Sequence, residues 1–169
     1  MILTPHILVG ATIGAKIHNF WLIIILSMVS HFILDKIFHW EYSSNNKFFK
    51  KFRETGNLKS LFVFTGQTLI DAFIGLTIVF VFLKTKNLLL NFTLIKNILI
   101  GCFFSVVPDI VLGISLLFRN SDFSQKYHTF HNKYLHFEKK LEKEGAITFL
   151  GIFTQIVIMI ISLLLLFFS

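Results

Sequence analysis

The chain has 169 residues, 54% of them hydrophobic and only 15% charged, with a mean hydropathy of +0.74. A soluble domain of this size has too little interior to hide so much apolar surface, and the apolar residues come in long runs. Composition therefore points to an integral membrane protein. The formal charge of +7 reports topology and anionic lipid headgroups in such a chain, and no nucleic-acid-binding motif accompanies it.

In chain order, the start Met1-Ile2-Leu3-Thr4-Pro5-His6 has no basic n-region and no convincing cleavage site, so it is expected to be retained. Thr4 suits a helix cap and Pro5 the first helical position, which predicts a short helix over about 5–17. Gly10, Ala11, Gly14 and Ala15 give that helix a small-residue face for close packing. A second apolar helix follows over about 20–38. Residues 39–59 are polar and basic, with Lys47, Lys50, Lys51 and Arg53 interleaved with Phe48, Phe49 and Phe52, as expected of a segment at the membrane surface.

Helices over about 60–83 and 92–118 are long enough to span, and the latter contains Pro108-Asp109, where a kink and exposed carbonyls are expected. Residues 119–145 are polar again. Tyr127, Phe130, Tyr134, Phe137 and Leu141 recur at three and four, predicting a cytoplasmic amphipathic helix. The last helix, about 146–168, has no ionisable residue. Cys102, the lone cysteine, lies in an apolar run and reads as a small packing residue. The fold class is thus all-α: one membrane domain over 1–169 with about five hydrophobic helices, the first one short.

Segments 36–59 and 119–145 hold six Lys/Arg each, and the remaining four (Lys16, Lys84, Lys86 and Lys96) lie near the opposite turns. The positive-inside rule then puts the N-terminus and both basic loops in the cytoplasm and the C-terminus outside an inner (plasma) membrane. A weak internal repeat relates the first and second hairpins. It would set His6 opposite His31, and Asp71 opposite Asp109.

Apolar helices carry ionisable side chains only at a cost, about 2.5–3.5 kcal/mol for a mid-bilayer Asp on insertion scales, so each one calls for a function or a partner. His31 and Asp35, four apart, share one helix face. His6, Asp71 and Asp109 fall at the same expected depth, and His128 and His131, three apart, follow in the adjoining loop. These seven residues are the candidate ligands of a divalent metal, Zn²⁺ or a similar ion, since imidazole and carboxylate together suit it. A metal-bound water has a pKa near ~7, and a carboxylate not needed for ligation, Asp35 or Asp71, would serve as base. His18, His39 and His136 read as interfacial, as do Trp21, Trp40 and the tyrosines.

The Thr-x-His start, Pro108-Asp109 and Tyr127-His128-Thr129-Phe130-His131 resemble motifs of the small membrane-bound metal-dependent hydrolases. That family is known for LexA-regulated members and is distantly likened to zinc-dependent phospholipase C. The resemblance implies ligation by His6, Asp109, His128 and His131, with His31 and Asp35 like that family's His/Asp pair, here placed before Pro-Asp rather than after the histidine segment. The expected function is metal-dependent hydrolysis of a phosphoester or related bond in a lipid-borne substrate at the cytoplasmic interface. The alternatives are an ion- or proton-coupled transporter and a non-enzymatic accessory protein.

Overall fold

The structure, a computed structural model, describes residues 2–37, 39–40, 43–118, 121–131 and 149–168, apart from the side chains of 43–46, 49, 116 and 128. The described residues form seven helices: α1 (Leu3–Lys16), α2 (Phe20–Lys36), α3 (Ser43–Thr55), α4 (Leu58–Thr85), α5 (Phe92–Leu117), α6 (Asp122–Phe130) and α7 (Phe149–Phe167). Three of them are long and apolar enough to cross a membrane: Leu58–Thr85, Phe92–Ser115 and Phe149–Phe167. The 14-residue α1 and 17-residue α2 are shorter, about 21 and 26 Å at the helical rise.

Three helix starts follow from asparagine. The side chains of Asn19, Asn57 and Asn91 accept from the backbone N–H of Leu22, Ser60 and Leu94, taking up one orphan donor at each start. The first helix departs from the expected Thr4-Pro5 opening. It begins at Leu3 with Ile2 as a cap that offers no side-chain bond, and Pro5 sits within the first turn. The missing cap comes from elsewhere in the chain, as described below.

Short as it is, α1 is the centre of the bundle, packed against α5, α7, α4 and α2. Gly10 and Gly14 make this possible. A Cβ on Gly10 would collide with the Gly101 carbonyl and one on Gly14 with the Asn97 carbonyl, so α1 and α5 meet backbone to backbone. The Gly10–Gly101 and Gly14–Asn97 pairings run α1 antiparallel to α5, while Thr4–Asp71 and Ile7–Gly75 run it parallel to α4. Leu3, Ile7, Leu8 and Ala11 of α1 form the core with Val79, Phe82, Leu83, Ile98, Cys102 and Leu166. Cys102 is a core residue, its Sγ 3.6 Å from the Ile7 carbonyl oxygen.

Polarity is inverted relative to a soluble bundle. Phe62, Phe73, Leu90 and Phe92 are each more than 70% exposed, whereas Thr12, Ser27, Ser105, Gln155 and Ser162 are buried. On α2 the buried stripe Ile23, Ser27, His31, Asp35 repeats every four residues while Trp21, Ile25 and Ile33 face outward. Apolar outside and polar inside is the pattern of a protein whose solvent is lipid.

At one end of the bundle, Lys16 donates to the Phe168 carbonyl (3.2 Å) and Lys86 to that of Phe167 (2.8 Å), so two cations hold the carbonyl end of α7. The ionisable cluster lies at the other end. There α3 packs along the start of α4 with Phe52 buried and Lys47, Lys50 and Lys51 exposed, an amphipathic helix where a surface segment was expected.

The glycine contact gives a direct check. Gly10→Ala should lower stability in detergent by about 1–3 kcal/mol or more, because the added methyl meets backbone that cannot move aside. Gly66→Ala, on α4 with nothing within 4 Å of the new methyl, should be neutral or slightly stabilising. Equal melting of the two variants would contradict this packing.

Candidate metal centre

Three elements bring the ionisable residues together. Four residues apart on α2, His31 and Asp35 lie one turn from each other on the buried stripe, with Nε2 and Oδ2 at 3.1 Å. Asp109, on α5 just after Pro108, places Oδ1 at 3.8 Å from His31 Nε2. His131, immediately after α6, places its own Nε2 at 3.3 Å from Asp109 Oδ1 and 3.9 Å from Asp35 Oδ2. One donor atom from each of His31, Asp35, Asp109 and His131 lies within 4.8 Å of all the others. For metal–ligand bonds of about 2.0–2.2 Å, tetrahedral donors sit about 3.4 Å apart, and the four His–Asp separations, 3.1–3.9 Å, bracket that distance.

The hydrogen bonding around His31 favours a cation. Its Nδ1 lies 2.7 Å from the Ser105 carbonyl oxygen, which only accepts, so Nδ1 carries the proton. In the neutral ring Nε2 then presents a lone pair, and this buried atom makes no hydrogen bond among the described residues. A lone pair facing two carboxylates is repulsive unless the ring is protonated or a positive ion lies between them. The donor set of two imidazoles and two carboxylates fits a divalent ion, whose charge would balance both aspartates. Pro108 offers no N–H to the Phe104 carbonyl four residues back, and Ser105 is the next residue in that disturbed turn.

The cluster is largely closed off: His31, Asp35 and His131 side chains are at most 3% exposed, and Asp109 is the least buried of the four at 24%. Next to Asp109 in sequence, the Pro108 carbonyl oxygen accepts from the Tyr127 hydroxyl at 2.9 Å, which ties α6 to α5. Burial, with the neighbouring Asp109 charge, pushes the Tyr127 phenol up to about 12, so it remains a donor at any physiological pH.

The other expected residues stand as follows. His6 is fully buried and stacks on His31, ring centroids 4.4 Å apart, with Nε2 3.2 Å from Asp35 Oδ1. It is not one of the four mutually close donors. Asp71 takes a different part from the expected ligand and base. Its Oδ2 accepts from the N–H groups of Leu3 and Thr4, and its Oδ1 from the Thr4 hydroxyl at 2.6 Å. It is the cap that α1 lacks in its own sequence, satisfying buried orphan donors from another helix. Of the repeat-based pairings, His6 does meet His31, whereas Asp71 meets Thr4. His128 lies on α6, but its side chain falls outside the described residues, as does all of His136. Ser105 and Tyr127, which orient the site, were missed as orienters because each acts through a backbone contact that no spacing announces.

Comparison of the chain with protein-family models, with curated proteins and with solved structures finds no match. The site is therefore read from its own geometry.

Tyr127→Phe removes one hydrogen bond and nothing else, so it should cost about 0.5–1.5 kcal/mol in detergent melting. Because His131 follows on the same segment, the variant should also weaken divalent-metal binding. Unchanged metal affinity would mean that α6 is held without this bond.

Proposed function

We propose that the protein is a membrane-bound metal-dependent hydrolase, with one Zn²⁺ or similar divalent ion held by His31, Asp35, Asp109 and His131. The observation that carries the reading is the convergence of two imidazoles and two carboxylates, from three parts of the chain, within 4.8 Å of one another in an otherwise apolar bundle. Such an ion, expanded to five-coordinate to admit a water beside the four side chains, would lower the pKa of that water to about 7 and would polarise a phosphoryl or acyl oxygen. Asp109, the partly exposed member, turns Oδ1 toward both histidines, and its second oxygen would accept the proton of an attacking water. Asp35, expected from sequence as ligand and base, acts in this reading as ligand through Oδ2.

The substrate class follows from the setting. Ile110, the next residue after Asp109, and Phe123 and Phe130 on α6 are exposed apolar side chains on the helices that flank the cluster, which suits an amphiphile that presents its ester at the interface. Phosphoester bonds of lipid-borne molecules are the preferred substrates. Basic α3 at the site end, by the positive-inside rule, supports a site on the cytoplasmic side of an inner (plasma) membrane, with Lys16 and Lys86 at the opposite end.

Elemental analysis of the detergent-purified protein tests the reading. Wild type should carry about one divalent ion per chain and His31→Ala far less, since a ligand is lost. The loaded wild type should release phosphate or headgroup from lipid phosphoesters, and Asp109→Asn should not. A reporter fused after Ser169 should read extracytoplasmic. Wild type free of bound metal after loading, or hydrolysis unaffected by Asp109→Asn, would contradict the proposal.

A further inference from the structure

His6 looks at first like a fifth ligand, yet it stands against the far side of the Asp35 carboxylate. The two oxygens of Asp35 are divided. Oδ2 faces His31 Nε2 at 3.1 Å and His131 Nε2 at 3.9 Å, while Oδ1 faces His6 Nε2 at 3.2 Å. Both ring nitrogens of His6 are buried and neither meets the geometry of a hydrogen bond among the described residues, but Nε2 is the one that lies beside a carboxylate oxygen, 3.2 Å from Asp35 Oδ1. A buried N–H without an acceptor costs more than a buried lone pair beside apolar atoms, so the ring proton belongs on Nε2, where Asp35 Oδ1 can accept it. The His6 ring also lies flat on the His31 ring, 28° between planes, and so backs both α2 residues of the site at once.

The placement of His6 is itself strongly determined. Asp71 grips the Leu3 and Thr4 N–H groups and the Thr4 hydroxyl just before it. One turn after it, Gly10 lies backbone to backbone against Gly101. A side chain held this firmly can fix the orientation of a neighbour that has rotational freedom about its own Cβ–Cγ bond.

From this arrangement we infer that His6 is a positioning residue: with its proton on Nε2, 3.2 Å from Asp35 Oδ1, it holds that oxygen and so aims Oδ2 into the metal centre without binding the ion. The inference depends on the metal reading of the four-residue cluster and deepens it by dividing five neighbouring groups into four ligands and one orienter. Orienting partners of this kind typically alter metal affinity by about 10–100-fold, whereas loss of a ligand changes the donor set itself. The Asp71 clamp on α1 is then the structural reason why His6 is in register with Asp35.

Metal titration of the full-length protein in detergent separates the roles. Stripped wild type, His6→Ala, His6→Gln and His31→Ala are titrated with Zn²⁺ against a chromophoric chelator, and with Co²⁺ followed by its visible ligand-field spectrum. His6→Ala should still bind one ion per chain, about 10–100-fold more weakly, with the Co²⁺ spectrum of wild type. His6→Gln, which keeps an N–H donor and guards against a folding defect in the alanine variant, should recover part of the affinity. His31→Ala should lose or alter the spectrum. A Co²⁺ spectrum changed in His6→Ala as it is in His31→Ala would make His6 a ligand and overturn the inference, and so would wild-type affinity in His6→Ala. Absence of metal binding in wild type would overturn the metal reading itself, an outcome separate from either of these.

Discussion

Two carboxylates held among imidazoles inside an apolar bundle are the constraint around which this structure is arranged. Asp35 and Asp109 approach the same two histidine nitrogens, at 3.1–3.9 Å, where little water reaches to screen their repulsion. Burying such charges costs several kcal/mol each unless opposite charge and hydrogen bonds compensate. His31 cannot supply that compensation as a neutral ring, because its Nδ1 proton is committed to Ser105 and its other nitrogen offers a lone pair. A divalent cation, as proposed above, would balance the two aspartates and take up that lone pair together.

The rest of the fold holds those groups still. α1 is too short to be a conventional span, but every face of it is packed, and glycine lets it approach α5 to backbone contact. Asp71 completes its first turn from α4, His6 projects from that turn onto Asp35, and Tyr127 anchors α6 through Pro108 so that His131 closes the cluster. Each contact ties a different helix to the same small volume. Energetically the arrangement suits lipid, where polar groups must find partners within the protein and the large apolar side chains can face outward.

Much of this was legible in the sequence because it depends on local spacing. His31 and Asp35 share a helix face by simple periodicity, and the small residues of α1 announce a close approach. Asp109 next to Pro108 stood out as an ionisable residue in an apolar run. Asp71 stood out on the same ground, yet its partners lie 67 and 68 residues away in sequence, at a helix start that appeared to have its own cap. Nothing in the spacing distinguishes a carboxylate that caps a remote helix from one that binds a metal. The same limit applies to His6, whose role is set by which oxygen of Asp35 it meets, and to Ser105, which acts through its backbone carbonyl.

The central claim, that the cluster requires a cation, is tested most directly by thermal unfolding in detergent with and without chelator. The comparison is between wild type and the double variant His31→Leu/Asp35→Leu. Bound metal stabilises a folded state by about 4 kcal/mol when free metal stands a thousandfold above Kd. Wild type should therefore lose melting temperature on chelation, while the double variant, which has exchanged two ligands for apolar side chains, should be indifferent to it. Equal response of the two proteins to chelator, or no response in wild type, would mean that His31 and Asp35 satisfy each other as a buried pair and that no metal holds this site together.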